Sequence, residues 1–191
     1  MRYDAEHKAR TRQRIVKNAA RQLRAKGLNE PGVADLMKAS GLTVGGFYKH
    51  FQSRDHLLAE AIEQGLADFS AKVMEATVHV PPDQRWKEIV KFYLSMEHCD
   101  HPDKGCPMAA LAPDIARAAP VVKTRIARIL KAQRERLLDL MPGQGRAEKE
   151  RNFIVIFASM GGAMQLARTL PNPAEKQSVL DSVRDHLLNS F

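Results

Sequence analysis

Apolar residues recur at helical spacing along most of this chain, and the signals of a β-sheet are scarce. Ile15, Ala19 and Leu23 follow an i, i+4, i+8 pattern inside a segment rich in lysine and arginine. That segment ends at Gly27, a residue that suits a helix C-terminus. Neither Asn-Gly nor Asp-Gly joins two alternating apolar runs, as a tight hairpin would require. The pattern therefore predicts an all-α fold.

Prolines, glycines and capping residues divide the chain into about nine predicted helices. The first ends at Gly27, and residues 98–107 and 141–146 have the composition of irregular segments. The other eight predicted helices begin at about Val33, Thr43, Ser53, Asp83, Pro107, Pro120, Ala147 and Pro173. Thr43 and Ser53 stand at N-cap positions, where a hydroxyl can accept a hydrogen bond from the first turn.

Almost all of the excess positive charge lies in the first third of the chain. The formal net charge is +8, and residues 1–56 contain 12 Lys and Arg against five Asp and Glu. The remaining 135 residues contain 18 against 17. A compact basic region of this kind favours a polyanionic partner, either a nucleic acid or an anionic membrane surface.

Several classes of protein do not fit this sequence. The N-terminus lacks the apolar region of a signal peptide, and the longest apolar run, 153–164, is shorter than the ~20 residues of a membrane span. We therefore expect a cytoplasmic protein with no membrane partner. The chain has no glycine-rich phosphate loop after a strand, no nucleophile elbow and no His-Glu-x-x-His motif. We expect neither an enzyme nor a bound cofactor.

Residues 33–51 have the rhythm of a helix-turn-helix, in which a second short helix enters the major groove of DNA. The residues predicted to face inward are Leu36, Met37, Leu42, Phe47 and Phe51, and those predicted to face outward are Thr43, Val44, Lys49 and His50. Tyr48, Lys49 and His50 can bracket a phosphate near the end of the second helix. The alternative is a glycine loop followed by a partly buried amphipathic turn, and the basic first third favours DNA binding.

Residues 11–58 resemble the DNA-binding domain of the TetR family of bacterial transcriptional regulators. The resemblance lies in the segments TRQRIVKNAA, VADLMKASGLTVGGFYKHF and SRDHLL. The spacing Gly-x-x-x-Gly-x-x-Tyr-x-His-Phe across residues 41–51 is its most specific part. These motifs cover about a quarter of the chain.

The resemblance implies both a fold and a function. It implies a DNA-binding domain of three helices, residues 1–52, and a larger helical domain, residues 53–191, for ligand binding and dimerisation. It also implies a homodimer that represses transcription at a palindromic operator in double-stranded DNA. A small-molecule effector, largely apolar, would release the operator.

The resemblance also places DNA contacts on individual residues. The family's phosphate contacts fall on Thr43, Tyr48 and His50. Val44 stands where many members have a lysine, so we expect it to contact thymine methyl groups and expect specificity to depend partly on DNA shape. The complete set of predicted DNA contacts is Arg12, Thr43, Val44, Gly45, Gly46, Tyr48, Lys49, His50 and Arg54.

Residues 153–164, FIVIFASMGGAM, are apolar all round and predict a helix with two partners, its own core and a second subunit. Small residues in this run would let the backbone of a symmetry mate approach closely. The predicted interface residues are Ser159, Gly162 and Ala163, joined by Val179, Val183 and Leu187 of the last helix, where the family's dimer bundle lies. The alternative is the central core helix of a monomer.

Methionine and aromatic side chains in the middle of the chain predict an adaptable apolar cavity. The candidate cavity residues are Trp86, Phe92, Tyr93, Met96, Met108, Leu111, Phe157 and Met160. Each of them alone fits an ordinary core position equally well, and it is the resemblance that favours a ligand pocket for the set.

The segment from His98 to Cys106 offers a second possibility, a metal-binding or thiol-based redox sensor. His98, Cys99 and His101 lie close in sequence, but no C-x-x-C pair and no second His/Cys cluster are present, so we predict no metal site. Cys106 follows Gly105 at a predicted helix start, where a helix dipole favours a thiolate. A buried, unreactive cysteine is the alternative.

Overall fold

The chain folds into a bundle of helices. The computed structural model describes residues 2–191, with side-chain environments from residue 5 onward, and contains no strand within that range. Its α-helices are α1 Arg2–Lys26, α2 Val33–Lys38, α3 Arg54–Thr77, α4 Pro82–Tyr93, α5 Met96–Asp100, α6 Pro107–Arg117, α7 Pro120–Leu137, α8 Arg146–Thr169 and α9 Pro173–Ser190. Three 3-10 helices, Val44–Lys49, Pro102–Lys104 and Leu138–Leu140, lie between them. The predicted all-α fold is confirmed.

Most helix ends lie where the sequence signals predicted them. Gly27 ends α1 with a φ of +86°, a left-handed conformation that glycine adopts without strain. The Ser53 hydroxyl accepts a hydrogen bond from the backbone N–H of His56 and caps α3. Prolines occupy the first turn of α6, α7 and α9, where a missing backbone N–H costs nothing.

Two local predictions were wrong. The segment 98–107 is not irregular throughout, because it contains the end of α5 and the 3-10 helix Pro102–Lys104. The second helix of the helix-turn-helix, Val44–Lys49, is a 3-10 helix in which Thr43 occupies the N-cap position without a side-chain capping hydrogen bond. Both are elements of three to six residues, too short to show a helical period.

Two clusters of buried apolar side chains fill the protein. The first joins α1, α2 and the N-terminal half of α3 to α6 and α7, and the second joins the C-terminal half of α3 to α4, α8 and α9. Leu57 and Leu66 of α3 belong to the first cluster, whereas Phe69 and Val73 belong to the second. The helix α3 therefore belongs to both clusters, as does α6, and connects the basic N-terminal region with the rest of the protein.

A buried arginine also fastens α1 to the segment after α5. Arg24 is nearly inaccessible to solvent, and its Nε donates to the carbonyl of Asp103 at 2.8 Å. Its guanidinium lies over Gly65 of α3, where a Cβ would come within 2.1 Å of Nη1. A glycine at position 65 therefore leaves the space that this arginine fills.

Among the helices that the structure describes, none combines the length and the apolar character of a membrane-spanning helix.

Candidate nucleic-acid interface and cavity

The 3-10 helix Val44–Lys49 presents one face to solvent and buries the other. Tyr48 is 79% exposed, and Thr43, Val44 and Lys49 are exposed beside it. Phe47 is buried, with its ring stacked on that of Phe51 at 5.5 Å between centroids. The predicted division of these aromatic residues, with both phenylalanines inward and the tyrosine outward, agrees with this packing.

Gly45 and Gly46 leave the backbone of this helix open. A Cβ at position 45 would have no heavy atom within 4 Å, and one at position 46 would meet only Met37 Cε at 3.8 Å. Neither glycine has a positive φ. Packing and backbone conformation within the protomer therefore do not require glycine at either position. The feature that the pair does provide is a stretch of backbone that another molecule can approach closely.

His50, at the end of the 3-10 helix, is half-buried and largely uncharged at neutral pH. Desolvation lowers the pKa of its imidazole, and the positive charges of Lys8, Arg12 and Lys49 lower it further. A phosphate contact by His50 would therefore be a neutral hydrogen bond at pH 7. Its role in DNA binding stays a prediction.

Two arginines predicted to contact DNA are engaged inside the protomer. Arg12 donates to Glu60 at 2.5 Å and to the carbonyl of His50 at 3.2 Å. The Arg54 guanidinium donates to the carbonyl of Leu28 and, at 3.4 Å, to that of Pro31. These contacts do not agree with a role as free phosphate-binding side chains. A sequence identifies the charge of an arginine but not a partner distant along the chain.

A cavity of about 260 Å³ lies among α3, α4, α6, α7 and α8. Of the eight candidate cavity residues, three line it, namely Tyr93, Met108 and Phe157. The full lining is Leu66, Phe69, Ser70, Val73, Met74, Ile89, Tyr93, Cys106, Met108, Leu130, Gln133, Leu137, Phe153, Phe157 and Gly161. No charged side chain is among these residues, so the cavity is suited to an uncharged, mainly apolar molecule.

The other five candidate cavity residues lie elsewhere. Trp86 and Met160 are buried in the second cluster and Leu111 in the first, so these three are core residues. Phe92 lines a separate surface cavity of about 300 Å³ on the other side of Phe69, and Met96 packs against the second cluster without lining either cavity. Sequence reasoning missed the α3 and α7 walls, because their apolar spacing is the same as that of an ordinary core face.

Cys106 and His98 form part of the cavity wall and its support. The Cys106 backbone N–H donates to His98 Nε2 at 2.9 Å, which leaves Nδ1 to donate to the carbonyl of Tyr93 at 2.7 Å. Desolvation lowers the pKa of His98 to about 4, which agrees with a neutral ring. Both ring nitrogens are therefore occupied, and His98 has no lone pair available to a metal ion. Cys99 is buried away from the cavity, and its burial raises the pKa of the thiol.

The outer face of α8 is apolar and exposed. Ile154 is 56% exposed, and Val155, Gly162 and Leu166 lie on the same side. Two predicted interface residues do not reach this face, since Ala163 is 6% and Leu187 1% exposed within the protomer's own core. The remaining predicted interface residues, Ser159, Val179 and Val183, are half-buried.

Comparisons with known proteins agree with this architecture. Residues 15–61 match the sequence model of the family described as bacterial regulatory proteins, tetR family. A segment of 67 residues, 35% of this chain, is 33% identical to the uncharacterized HTH-type transcriptional regulator YdgC of Bacillus subtilis (strain 168). That segment spans about a third of the length of YdgC, 32%.

Solved structures share the fold over almost the entire chain. A TetR transcriptional regulator from Chloroflexus aurantiacus J-10-FL superimposes with a TM-score of 0.77 at 23% identity, covering 96% of this chain and 95% of that one. A TetR-family regulator from Cytophaga hutchinsonii gives a TM-score of 0.78 at 19% identity, covering 96% of each chain. At these identities the likeness establishes the fold.

The exposed face of the 3-10 helix predicts the effect of two substitutions on DNA binding. If Lys49 contacts a phosphate, Lys49→Ala will weaken binding and lower the slope of log affinity against log salt by about one. Tyr48→Phe removes a hydroxyl and will weaken binding by about 1 kcal/mol. Both are measured by fluorescence anisotropy over a salt series, on a duplex that the wild-type protein selects from random DNA.

Lys131→Ala is the matched control, because Lys131 is an exposed lysine on α7, outside the helix-turn-helix. It is expected to leave both affinity and slope unchanged. If Lys49→Ala and Tyr48→Phe also leave them unchanged, the 3-10 helix does not form the DNA-binding face.

Proposed function

We propose that this chain is a DNA-binding transcriptional regulator of the TetR family, a repressor released by a small molecule. It binds a palindromic operator as a homodimer and leaves it when an effector enters the cavity. The observation that carries this proposal is the pairing, in one protomer, of an exposed helix-turn-helix face with an apolar cavity. TetR-family regulators are not enzymes, in agreement with the motif analysis.

Two parts of a cytoplasmic protein carry out these two tasks. Residues 1–52 bind DNA, and residues 53–191 bind the effector and the second subunit. The division falls at the Ser53 cap of α3, so that α3 belongs to the regulatory part while its N-terminal half packs under the DNA-binding part. A change in the cavity can therefore reach the DNA-binding part through a shared core.

The exposed apolar face of α8 supports the homodimer. Ile154, Val155 and Leu166 are large apolar side chains in water, and such a face marks an interaction surface. A two-fold axis beside α8 would pair this face with its copy, since an isologous interface uses the same patch on both subunits. Two protomers then carry two 3-10 helices to successive major grooves, which explains why a palindrome is the expected operator.

Gly162→Leu tests the dimer. A Cβ at Gly162 has no neighbour within 4 Å in the protomer, so leucine fits the isolated chain, but it would enter the two-fold interface twice. Overpacking typically costs 1–3 kcal/mol per site, so we expect the dimer dissociation constant to rise by about tenfold or more. Operator affinity will fall with it. Sedimentation velocity over a concentration series gives the measurement.

Ala132→Leu is the control for the dimer experiment, since position 132 is exposed on α7, away from the apolar face of α8. It adds the same side chain outside that face and is expected to leave the dimer intact. A Gly162→Leu protein that dimerises as tightly as wild type would contradict the interface on α8.

The cavity supports a small, uncharged, largely apolar effector. Its polar groups are few, namely Ser70, Tyr93 and Gln133 together with the Cys106 thiol, and these can orient a ligand without a charged partner. Repression is relieved if the ligand favours a conformation in which the two 3-10 helices no longer match one turn of DNA. A small displacement is sufficient because the groove spacing is fixed.

Gly161→Leu tests the effector site directly. A leucine at this cavity-lining position, where a Cβ would meet no heavy atom within 4 Å, occupies part of the 260 Å³ that a ligand needs. We expect the variant to bind the selected duplex like wild type and to lose release by any compound that releases wild type from a panel of uncharged apolar molecules. Fluorescence anisotropy in competition format provides the measurement.

Ala132→Leu, a leucine added at an exposed position of α7, is the matched control and should respond like wild type. If compounds release Gly161→Leu as readily as wild type, the effector does not occupy this cavity.

A second candidate function is a thiol-based sensor on the same scaffold. One observation favours it, the position of Cys106 in the wall of the cavity, where a reactive molecule that enters would meet the sulfur. Cys99 is not part of that wall and is buried. The two cysteines therefore form a natural comparison.

Alkylation distinguishes this candidate from reversible ligand binding. If Cys106 is the sensor, N-ethylmaleimide will abolish operator binding by wild type and Cys99→Ser but not by Cys106→Ser, as measured by gel shift with labelling followed by mass spectrometry. A wild-type protein that is labelled at Cys106 and still binds DNA would rule out the thiol mechanism.

A further inference from the structure

One carboxylate oxygen lies between two arginines from distant parts of the chain. Glu60 Oε1, on α3, is 2.5 Å from Arg12 Nη2 of α1 and 3.8 Å from Arg125 Nη1 of α7. The side chain of Glu60 is only 15% exposed, so this group is shielded from salt more than a surface ion pair would be. Arg125 also donates through Nε to Glu63 at 2.7 Å. The four side chains together are electrically neutral.

Arg12 connects this cluster with the C-terminal end of the 3-10 helix Val44–Lys49. Its Nε donates to the backbone carbonyl of His50 at 3.2 Å, and its guanidinium lies 4.9 Å from the ring centroid of Phe51. The carbonyls at a helix C-terminus have no partner inside the helix. A 3-10 helix is also held by poorer hydrogen bonds than an α-helix. An external donor at this carbonyl therefore fixes where the exposed face of the helix lies.

Arg125 links the same cluster to the cavity. It lies on α7, whose next turns supply Leu130, Gln133 and Leu137 to the cavity lining. The path from the cavity to the DNA-facing helix thus consists of α7, the Arg125–Glu60 contact, the Glu60–Arg12 pair and the His50 carbonyl. Glu60 is indispensable to it, because without this carboxylate two guanidinium groups would face each other.

We propose that Glu60 and Arg125 are positioning residues for DNA recognition, acting through Arg12 on the end of the 3-10 helix Val44–Lys49. Neither residue contacts DNA in this arrangement. They hold Arg12 against the His50 carbonyl and keep it from pairing with phosphate. This inference rests on the proposed function, since it specifies how that DNA-binding face is held and how α7 is connected to it.

The test separates specific from non-specific DNA binding in the full-length protein. The probes are the duplex that wild type selects from random DNA and a scrambled duplex of equal length and composition, at one salt concentration. Because a charge-assisted hydrogen bond is lost, we expect Glu60→Gln to weaken binding of the selected duplex by about tenfold. Binding of the scrambled duplex should stay unchanged or become tighter, since the variant gains a positive charge and frees Arg12 for phosphate.

Arg125→Gln is expected to act in the same direction with a smaller effect, because its contact with Glu60 is longer, and Arg125→Lys should restore part of the loss. The matched control is Arg146→Gln, which removes an arginine paired with two carboxylates, Glu135 and Glu150, away from the DNA-binding part. It should bind both duplexes like wild type. Thermal unfolding of every variant accompanies the binding data.

Three results would overturn the inference. The first is that Glu60→Gln binds both duplexes with wild-type affinity. The second is an equal loss of affinity for both duplexes, which indicates general destabilisation. The third is tighter binding of the selected duplex, which means that Glu60 only competes with DNA for Arg12. If wild type selects no duplex at all, the proposed function itself fails, and that result is distinct from these three.

Discussion

The rest of the structure depends on the burial of α3 against two apolar clusters at once. Leu57 and Leu66 belong to the cluster under the helix-turn-helix, while Phe69 and Val73 belong to the cluster around the cavity. A helix of 24 residues is about 36 Å long and nearly rigid, so a displacement of one end also moves the other end. The exposed face of the 3-10 helix Val44–Lys49 and the cavity are therefore connected through one rigid helix.

Arginine side chains strengthen the connection between these parts by hydrogen bonds to backbone carbonyls. Three arginines of the basic first third donate to backbone carbonyls of segments distant in sequence. Arg12 reaches His50, Arg24 reaches Asp103, and Arg54 reaches Leu28. Part of the positive charge that predicts a polyanionic partner is thus used to join segments within the protomer. The positive charge that we propose to face DNA is therefore that of exposed lysines such as Lys49 and of other basic residues of α1.

The site residues that sequence reasoning placed well are those whose neighbours are close along the chain. Phe47 and Tyr48 are adjacent, and helical spacing alone predicts that one packs inward and the other points outward. The pairs that it misplaced depend on distant segments. Gly162 and Ala163 are also adjacent and equally small, but only the packing of α8 against α9 decides that the alanine is buried. A helix that is apolar all round gives no signal of which side is the core.

The sequence by itself determined that this chain is an all-α protein with a helix-turn-helix near its N-terminus, because periodicity, glycines and caps are local signals. It also determined the outward direction of Val44, Tyr48 and Lys49. Tertiary structure alone decided which methionines and aromatics line the cavity, that Cys106 borders it, and that Arg12 binds Glu60 rather than lying free. The physical reason is the same in each case, since these features depend on contacts between residues tens of positions apart, and identical residue types at identical spacing are compatible with either outcome.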